Sequence, residues 1–293
     1  MRSRFIAVLL VSAATVASAQ NFDTVQVRST MLARGVYVLT GSGGNIGLAA
    51  GDDAVFVIDD QFAPLTPKIL AAIAAITPRP VRFLVNTHWH GDHTGGNEHM
   101  GKTGALIFAH ENVRKRMSTD QFIEALNSKV PASPGIALPV VTFTDGVTFY
   151  INGDSVVVTH VPPAHTDGDS FVFFTKANVL HSGDLFVSDR MPFVDLSSGG
   201  SIHGIIGAAE KMLAVANAST KIIPGHGPVT DRAKLNDYRD MLVSLRESMR
   251  TRIAARKTLD QVLADSIAKP WATSFPLNHD RFVRLLFQEM SRR

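Results

Sequence analysis

The stretch Asn86-Thr87-His88-Trp89-His90-Gly91-Asp92-His93 places three imidazoles and a carboxylate within six residues. Zinc takes nitrogen and oxygen donors of this kind, and iron and manganese accept the same donors. The run follows directly on Val81–Val85, an apolar segment that reads as a buried strand. Side chains at a strand's end and in the loop behind it can converge on one point. H-x-H-x-D-H is therefore read as a metal-binding motif rather than a patch of surface histidines. Three later segments set a histidine or an aspartate beside turn-forming residues: His165 in Pro163-Ala164-His165-Thr166-Asp167-Gly168, Asp184 in Ser182-Gly183-Asp184-Leu185-Phe186, and His226 in Pro224-Gly225-His226-Gly227. A lone His in P-G-H-G reads as a turn residue, and a lone G-D-L-F carries little information. Their weight comes from order and spacing behind the first motif. The histidines at 99, 110, 160, 181, 203 and 279 are assigned no ligand role. His181, three residues before Asp184, reads as a structural residue at a strand's end.

The elements that must position these groups are legible from periodicity. Short β-rich runs at 35–40, 46–50 and 55–58 alternate with turns, and the glycine-rich residues 41–44 separate the first two. No helical pattern follows those glycines and G-x-x-x-x-G-K-[ST] is absent, so they read as a turn and not a phosphate loop. Residues 67–76 predict an apolar-periodic helix, 105–108 a strand, and the chain from Glu111 another helix. Three prolines and a glycine within residues 130–139 mark a loop between two halves. Strands at 148–151, 156–160, 171–174 and 179–180 are expected beyond it. A helix over 202–216, a strand at Lys221–Ile223 and a long helix from Asp231 to about residue 257 follow, with short helical patterns at 259–268 and 280–290. Strands, helix and strand thus occur twice, a weak internal duplication of two β-plus-helix halves packed face to face. The long helix carries Leu235, Tyr238, Leu242, Leu245, Met249 and Ile253 as a core-facing stripe. Its arginine- and lysine-rich opposite face reads as solvated.

The chain has 293 residues, 45% hydrophobic and 19% charged, an ordinary globular composition that buries a core without staples. A net charge of +3 without a basic stripe interleaved with aromatics excludes nucleic acid as an expected partner. Arg2 and Arg4, the apolar residues 5–16 and Ala17-Ser18-Ala19 form a signal-peptide pattern over residues 1–19. Its apolar run is shorter than the roughly 20 residues that span a bilayer. The expectation is an exported, periplasmic protein with one domain over 20–293, a C-terminal helical extension from about residue 231, and no stable membrane association after cleavage. With no cysteine there is neither a lipoprotein attachment site nor a disulfide. The expected partner is a small-molecule substrate, and the oligomeric state is not legible.

With these motifs in place, the chain resembles the metallo-β-lactamase superfamily over roughly residues 30–230. Asp59, H-x-H-x-D-H, the His165 loop, the Asp184 loop and the G-H-G of His226 stand in the family's order. The resemblance implies an α/β fold, an αββα sandwich of two sheets flanked by helices, with the metal site at one edge between the sheets. It implies two zinc ions per chain, iron or manganese being accepted by the same donors. His88, His90 and His165 would hold the first, Asp92, His93 and His226 the second, and Asp184 would bridge them. Asp59 would support the site from behind. The chemistry implied is hydrolysis by a water that the ions make nucleophilic near neutral pH, with Asp92 as the catalytic carboxylate that orients it.

The family cleaves β-lactams, thioesters, lactones, phosphodiesters and sulfate esters, so the fold leaves the substrate open. Two departures bear on it. The best-known β-lactamase subclass has cysteine where this chain has Asp184, and aspartate there is similar to glyoxalase II. That subclass also has a substrate-binding lysine three positions later, where this chain has Val187. Arg190 is the nearest cationic candidate for a substrate carboxylate or phosphate. The expectation is a secreted dinuclear zinc hydrolase of amide or ester bonds, β-lactams included. The alternatives are a glyoxalase II-like thioesterase or lactonase, a mononuclear iron enzyme similar to persulfide dioxygenases, and a non-catalytic metal-binding module. Retention of every second-ion ligand argues against the iron enzyme, and acidic Asp92 against the module.

Overall fold

The computed structural model describes residues 21–292, so the signal segment expected over 1–19 lies outside the described residues. An antiparallel meander opens the fold: β1 (Arg28–Ala33), β2 (Val36–Thr40), β3 (Ile46–Ala50) and β4 (Val55–Ile58) pair in sequence. Helix α1 (Thr66–Ala74) then carries the chain across to β5 (Val81–Val85), parallel to β4 with Ile58 opposite Val85. The short helices α2 (Gly91–Thr94) and α3 (Asn97–Lys102) lead to β6 (Leu106–His110), parallel to β5. After α4 (Glu111–Met117) a separate hairpin forms from β7 (Gln121–Ile123) and β8 (Ser128–Val130). Strand β9 (Val141–Phe143) completes a seven-stranded sheet beside β6.

The second half repeats the plan. Strands β10 (Gly146–Ile151), β11 (Asp154–His160), β12 (Ser170–Phe174) and β13 (Val179–His181) form an antiparallel meander. Helix α5 (Ile202–Val215) crosses over to β14 (Lys221–Ile223), parallel to β13, and the two-residue β15 (Thr230–Asp231) closes a six-stranded sheet. Helices α6 (Arg232–Ala254), α7 (Leu259–Ala264) and α8 (His279–Ser291) follow. Four antiparallel strands, a helical crossover and a parallel fifth strand therefore occur in both halves, the physical form of the duplication expected from the sequence.

Burial explains the strand types. β4, Val-Phe-Val-Ile, is buried at every position, as a central strand covered on both faces must be. β10 alternates exposed and covered side chains, as suits an edge strand with one wet face. Phe56, Ile58, Val85 and Phe108 from the first sheet meet Val158, Val172, Phe174 and Ile223 from the second in the central layer. Outside the first sheet, Leu65, Ile69 and Ile73 of the α1 region cover Leu48, Val57 and Leu84. Outside the second, α5, α6 and α8 bury Ile205, Tyr238, Leu242, Phe282 and Leu286 against Phe171 and Leu180. Each such side chain contributes about 1.5–3 kcal/mol on leaving water. The layers are thus helix, sheet, sheet, helix, the expected αββα sandwich.

Some expectations need correction. The proline loop is not the boundary between halves, because β9 beyond it still pairs Val141 with Phe108 in the first sheet. The division falls at Thr144 and Asp145, after which Gly146 enters the second sheet. Strands β1, β7, β8, β9 and β15 were not expected. β1 is exposed over most of its length and β7 and β8 have three residues each, too little covered surface to set a pattern. The long helix starts at Arg232, with Asp231 capping it by accepting from the Lys234 amide at 3.0 Å.

Candidate metal centre

Most of the chemistry-bearing residues follow the C-terminal ends of strands in the two parallel runs. Asp59 follows β4, His88 to His93 follow β5, Asp184 follows β13 and His226 follows β14. His165 comes from the loop joining β11 to β12. The H-x-H-x-D-H segment is not wholly loop. Asp92 and His93 ride on α2, a single helical turn, and Asp92 Oδ2 lies 3.9 Å from His93 Nε2. All seven expected donors come together. His88 with His90 and His165, His88 with His93 and Asp184, and Asp92 with His93 and His226 each place their ligand atoms within 4.8 Å of one another.

Hydrogen bonds determine which ring nitrogens face inward. Thr87 Oγ1 donates to Asp59 Oδ2 at 2.8 Å, so at 3.1 Å it can only accept from His88 Nδ1, which leaves Nε2 of His88 as the inward lone pair. His93 donates from Nδ1 to Asp59 Oδ2 at 2.7 Å, and His165 from Nδ1 to the Phe193 carbonyl at 2.8 Å. His90 is turned the other way, its Nε2 donating to Asp195 Oδ2 at 3.1 Å. His90 Nδ1 and His165 Nε2 then face each other at 2.9 Å. Across the centre, Asp184 Oδ1 lies 3.2 Å from His93 Nε2, and Asp184 Oδ2 lies 3.4 Å from His226 Nε2 and 3.7 Å from His165 Nε2. Asp92 Oδ2 stands 3.2 Å from His226 Nε2. Nitrogens about 2.0–2.1 Å from a tetrahedral zinc ion sit roughly 3.3 Å apart, so these spacings suit shared ions. Among the described residues the buried His88 Nε2 has no hydrogen-bond partner, which fits an atom reserved for coordination.

The electrostatics agree. Burial, His93 and His165 hold His88 well below the ordinary imidazole value, and burial with His90 lowers His165 to about 4. Both are neutral ligands at pH 7. Burial also opposes charge on His93, yet Asp184, Asp92 and Asp59 lift it well above the ordinary value. His226 is likewise raised to about 9, burial being overcome by Asp184 and Asp92. Against their own burial, the carboxyls are held down, Asp92 to about 2 by His93 and His226, and Asp184 well below the usual range by the same two. Two imidazolium protons balance two carboxylates here, positive charge that bound cations would displace.

Backbone packs against the donors where a side chain could not. A Cβ on Gly44 would lie 2.2 Å from His93 Cε1, and one on Gly225 would lie 1.9 Å from Asp184 Oδ1. Asn45 holds the two loops together, its amide donating to the carbonyls of Pro224 and Gly227 at 2.9 Å each. Asp59 adopts φ 60°, a conformation rare outside glycine, and turns its carboxylate to the Thr87 amide, the Thr87 hydroxyl and His93 at once.

The donors open on a cleft of about 430 Å³ walled by Phe62, Ile123, Leu126, Val187 and Phe193. Arg190 lines it too, but its fork is taken by Asp189, Nε to Oδ1 at 2.7 Å and Nη2 to Oδ2 at 3.0 Å. His181 holds no place among the donors. Its Nε2 donates to the Asn45 carbonyl at 3.0 Å and its Nδ1 accepts from the Gly183 amide at 3.2 Å. Sequence reading placed Asp195 only within a segment, 187–203, that borders the substrate in the family, and gave no role to it as the partner of His90, to Phe193, to the two glycine contacts or to Arg281 on the cleft wall. Nothing in their residue types or spacing marks them, because their neighbours are distant in sequence.

Comparison with known proteins places this geometry. The metallo-β-lactamase superfamily profile matches residues 39–250. The chain is 27% identical over 252 residues to the β-lactamase-like protein 2 homolog of Caenorhabditis elegans, covering 80% of this chain and 75% of that protein. It is 29% identical over 164 residues to the hydroxyacylglutathione hydrolase of Nitrosococcus oceani, covering 56% of this chain and 55% of that one. Identity to the metallo-β-lactamase type 2 of Bacteroides fragilis is 21% over 147 residues, covering 50% and 53%. The match thus spans about half the length of each of these last two relatives. Among solved structures, a metallo-β-lactamase from Pontibacter korlensis aligns with a TM-score of 0.60 at 22% identity, over 74% of this chain and 99% of that one. A stereoselective inverting sec-alkylsulfatase from Pseudomonas sp. aligns with a TM-score of 0.66 at 16% identity, over 92% of this chain and 50% of the other. Both structural likenesses are of fold.

Proposed function

The chain belongs to the metallo-β-lactamase superfamily and is a metal-dependent hydrolase of that family, and from this premise we propose that it is an exported two-zinc enzyme cleaving amide or ester bonds in small molecules, β-lactams among them. The observation that best supports the reading is the pair of lone pairs facing each other at 2.9 Å, His90 Nδ1 and His165 Nε2, with both outer nitrogens committed elsewhere. Two acceptor lone pairs so placed repel unless a cation lies between them.

His88, His90 and His165 would hold one ion, Asp92, His93 and His226 the other, with Asp184 between them. Bound there, a divalent pair supplies Lewis acidity toward a scissile carbonyl and brings the pKa of a water toward about 7. The residues around it do the positioning. Asp59, Thr87, Asp195 and the Phe193 carbonyl fix the imidazole rings before substrate arrives, so little reorganisation is left for the reaction. Asp92 is the more open of the two central carboxylates, its side chain 28% exposed against 11% for Asp184. It accepts a proton from the attacking water and returns it to the departing nitrogen or oxygen. Phe62, Ile123, Leu126 and Phe193 shield the reacting carbonyl from bulk water. Export rests on Arg2, Arg4, the apolar run and Ala17-Ser18-Ala19.

A thioester or lactone is the second reading, favoured by aspartate at 184 and by the likeness to a hydroxyacylglutathione hydrolase. Zinc-loaded protein assayed on a chromogenic cephalosporin, an aryl lactone and an acyl thioester separates the two. Cephalosporin cleavage that is abolished by a chelator and restored by zinc is the expected result. Rapid lactone or thioester cleavage with no cephalosporin turnover would overturn it in favour of the second reading.

A further inference from the structure

Arg281 stands in the first turn of α8 and lines the cleft, yet no carboxylate among the described residues pairs with it. Its Nε is buried without a hydrogen-bond partner. Its guanidinium carbon lies 4.3 Å from the centroid of the Phe193 ring. That ring in turn packs on the metal-centre histidines, 6.0 Å from His90 and 5.9 Å from His165 between centroids. The guanidinium is therefore one aromatic ring removed from the donors. Arg190, on the same wall, is already neutralised by Asp189. Burial with no compensating acid lowers the pKa of Arg281, although arginine keeps its charge at any physiological pH.

The placement is built rather than incidental. The loop carrying Phe193 is tied to the chain just before α8, where the Met191 amide donates to the Leu277 carbonyl at 2.9 Å. Next to Arg281, Phe282 and Val283 anchor α8 in the core, joined by Leu286 one turn on. Leaving a cation half-desolvated and unpaired costs stability, and an anion arriving in the cleft would recover that cost. A stacked, planar fork also suits a carboxylate better than a mobile ammonium would.

We propose that Arg281 is the anchor for a carboxylate on the substrate, so that the enzyme takes small molecules bearing a carboxylate beside an apolar body that lies along Phe193, Ile123 and Leu126. This rests on the hydrolytic reading of the centre. The test compares a chromogenic cephalosporin with a free carboxylate and its methyl ester on zinc-loaded protein. In Arg281→Ala the kcat/KM ratio of acid to ester should fall roughly 10- to 100-fold, the strength of a charge-assisted hydrogen bond, with the loss in KM. Arg281→Lys should restore part of it. Arg284→Ala, an exposed arginine on the same helix, should keep the wild-type ratio. Calorimetric binding of 3-phenylpropanoate against 3-phenylpropanamide provides a second readout that needs no turnover. If the wild type cleaves neither cephalosporin, the β-lactam reading fails while the binding comparison still decides the role of Arg281. An equal effect of Arg281→Ala on acid and neutral probe, no effect on either, or no preference of the wild type for the acid would overturn the proposal.

Discussion

His181 and Asp184 sit three residues apart on one strand end, yet the structure gives them opposite tasks. Both ring nitrogens of His181 are spent on backbone, and the side chain is fully buried. Asp184 turns both oxygens into the donor cluster, Oδ1 3.2 Å from His93 Nε2 and Oδ2 3.4 Å from His226 Nε2. His181→Ala should therefore cost about 2–4 kcal/mol in a denaturant titration, through lost packing and unpaired backbone groups, while the folded protein keeps its zinc. Asp184→Ala should do the reverse, losing zinc by elemental analysis with a smaller change in unfolding midpoint. Equal zinc loss in both variants would mean the wrong residue has been placed in the centre. Gly44→Ala makes the same point from the other side. A methyl 2.2 Å from His93 Cε1 must displace that ring, so zinc content and hydrolysis should drop at least tenfold while far-ultraviolet dichroism is unchanged.

Between elements, the ends of β6 and β11 meet through His110 and His160, whose rings stack at 3.6 Å and 7° and so join the two sheets. Burial lowers both pKa values, helped at His110 by His160 and at His160 by Lys211, while Glu111, Asp145, Asp167 and the carbonyl of Asp169 pull the other way. The folded pKa values lie below the unfolded value of 6.5, so the stack's contribution is whole above that pH and is lost as pH falls through the folded values. Chelator-treated protein should unfold at lower urea on going from pH 7 to pH 5, and His160→Phe should lessen that dependence. An unchanged dependence in the variant would remove the stack as its source. These elements also show what sequence can carry. β4, β12 and α5 were legible because continuous apolar runs and a 3.6-residue stripe survive in a single chain. β1, β7, β8 and β9 were not, since short or exposed strands are defined by partners that lie elsewhere. The seven donors were legible because they cluster in motifs. Arg281 was not, because only the folded chain brings α8 against Phe193.

Taken whole, the molecule uses its duplicated halves to bring strand ends to one edge, and its C-terminal helices to finish the cleft there. Helix α8 belongs to that design, since Glu289 also accepts from Ser201 Oγ and the Ile202 amide at the start of α5, both at 2.9 Å. The proposed export predicts a mature chain beginning at Gln20, and the mass of protein recovered from the producing cell's envelope checks it. An intact Met1 in the membrane fraction would mean an anchor instead. The central claim is that hydrolysis depends on two ions held by His88, His90, Asp92, His93, His165, Asp184 and His226. Zinc titrated into chelator-stripped protein, with hydrolysis followed at each addition, tests it most directly. The account predicts activity that climbs until two ions are bound per chain and then levels. Full activity with binding saturated at one ion per chain would contradict it.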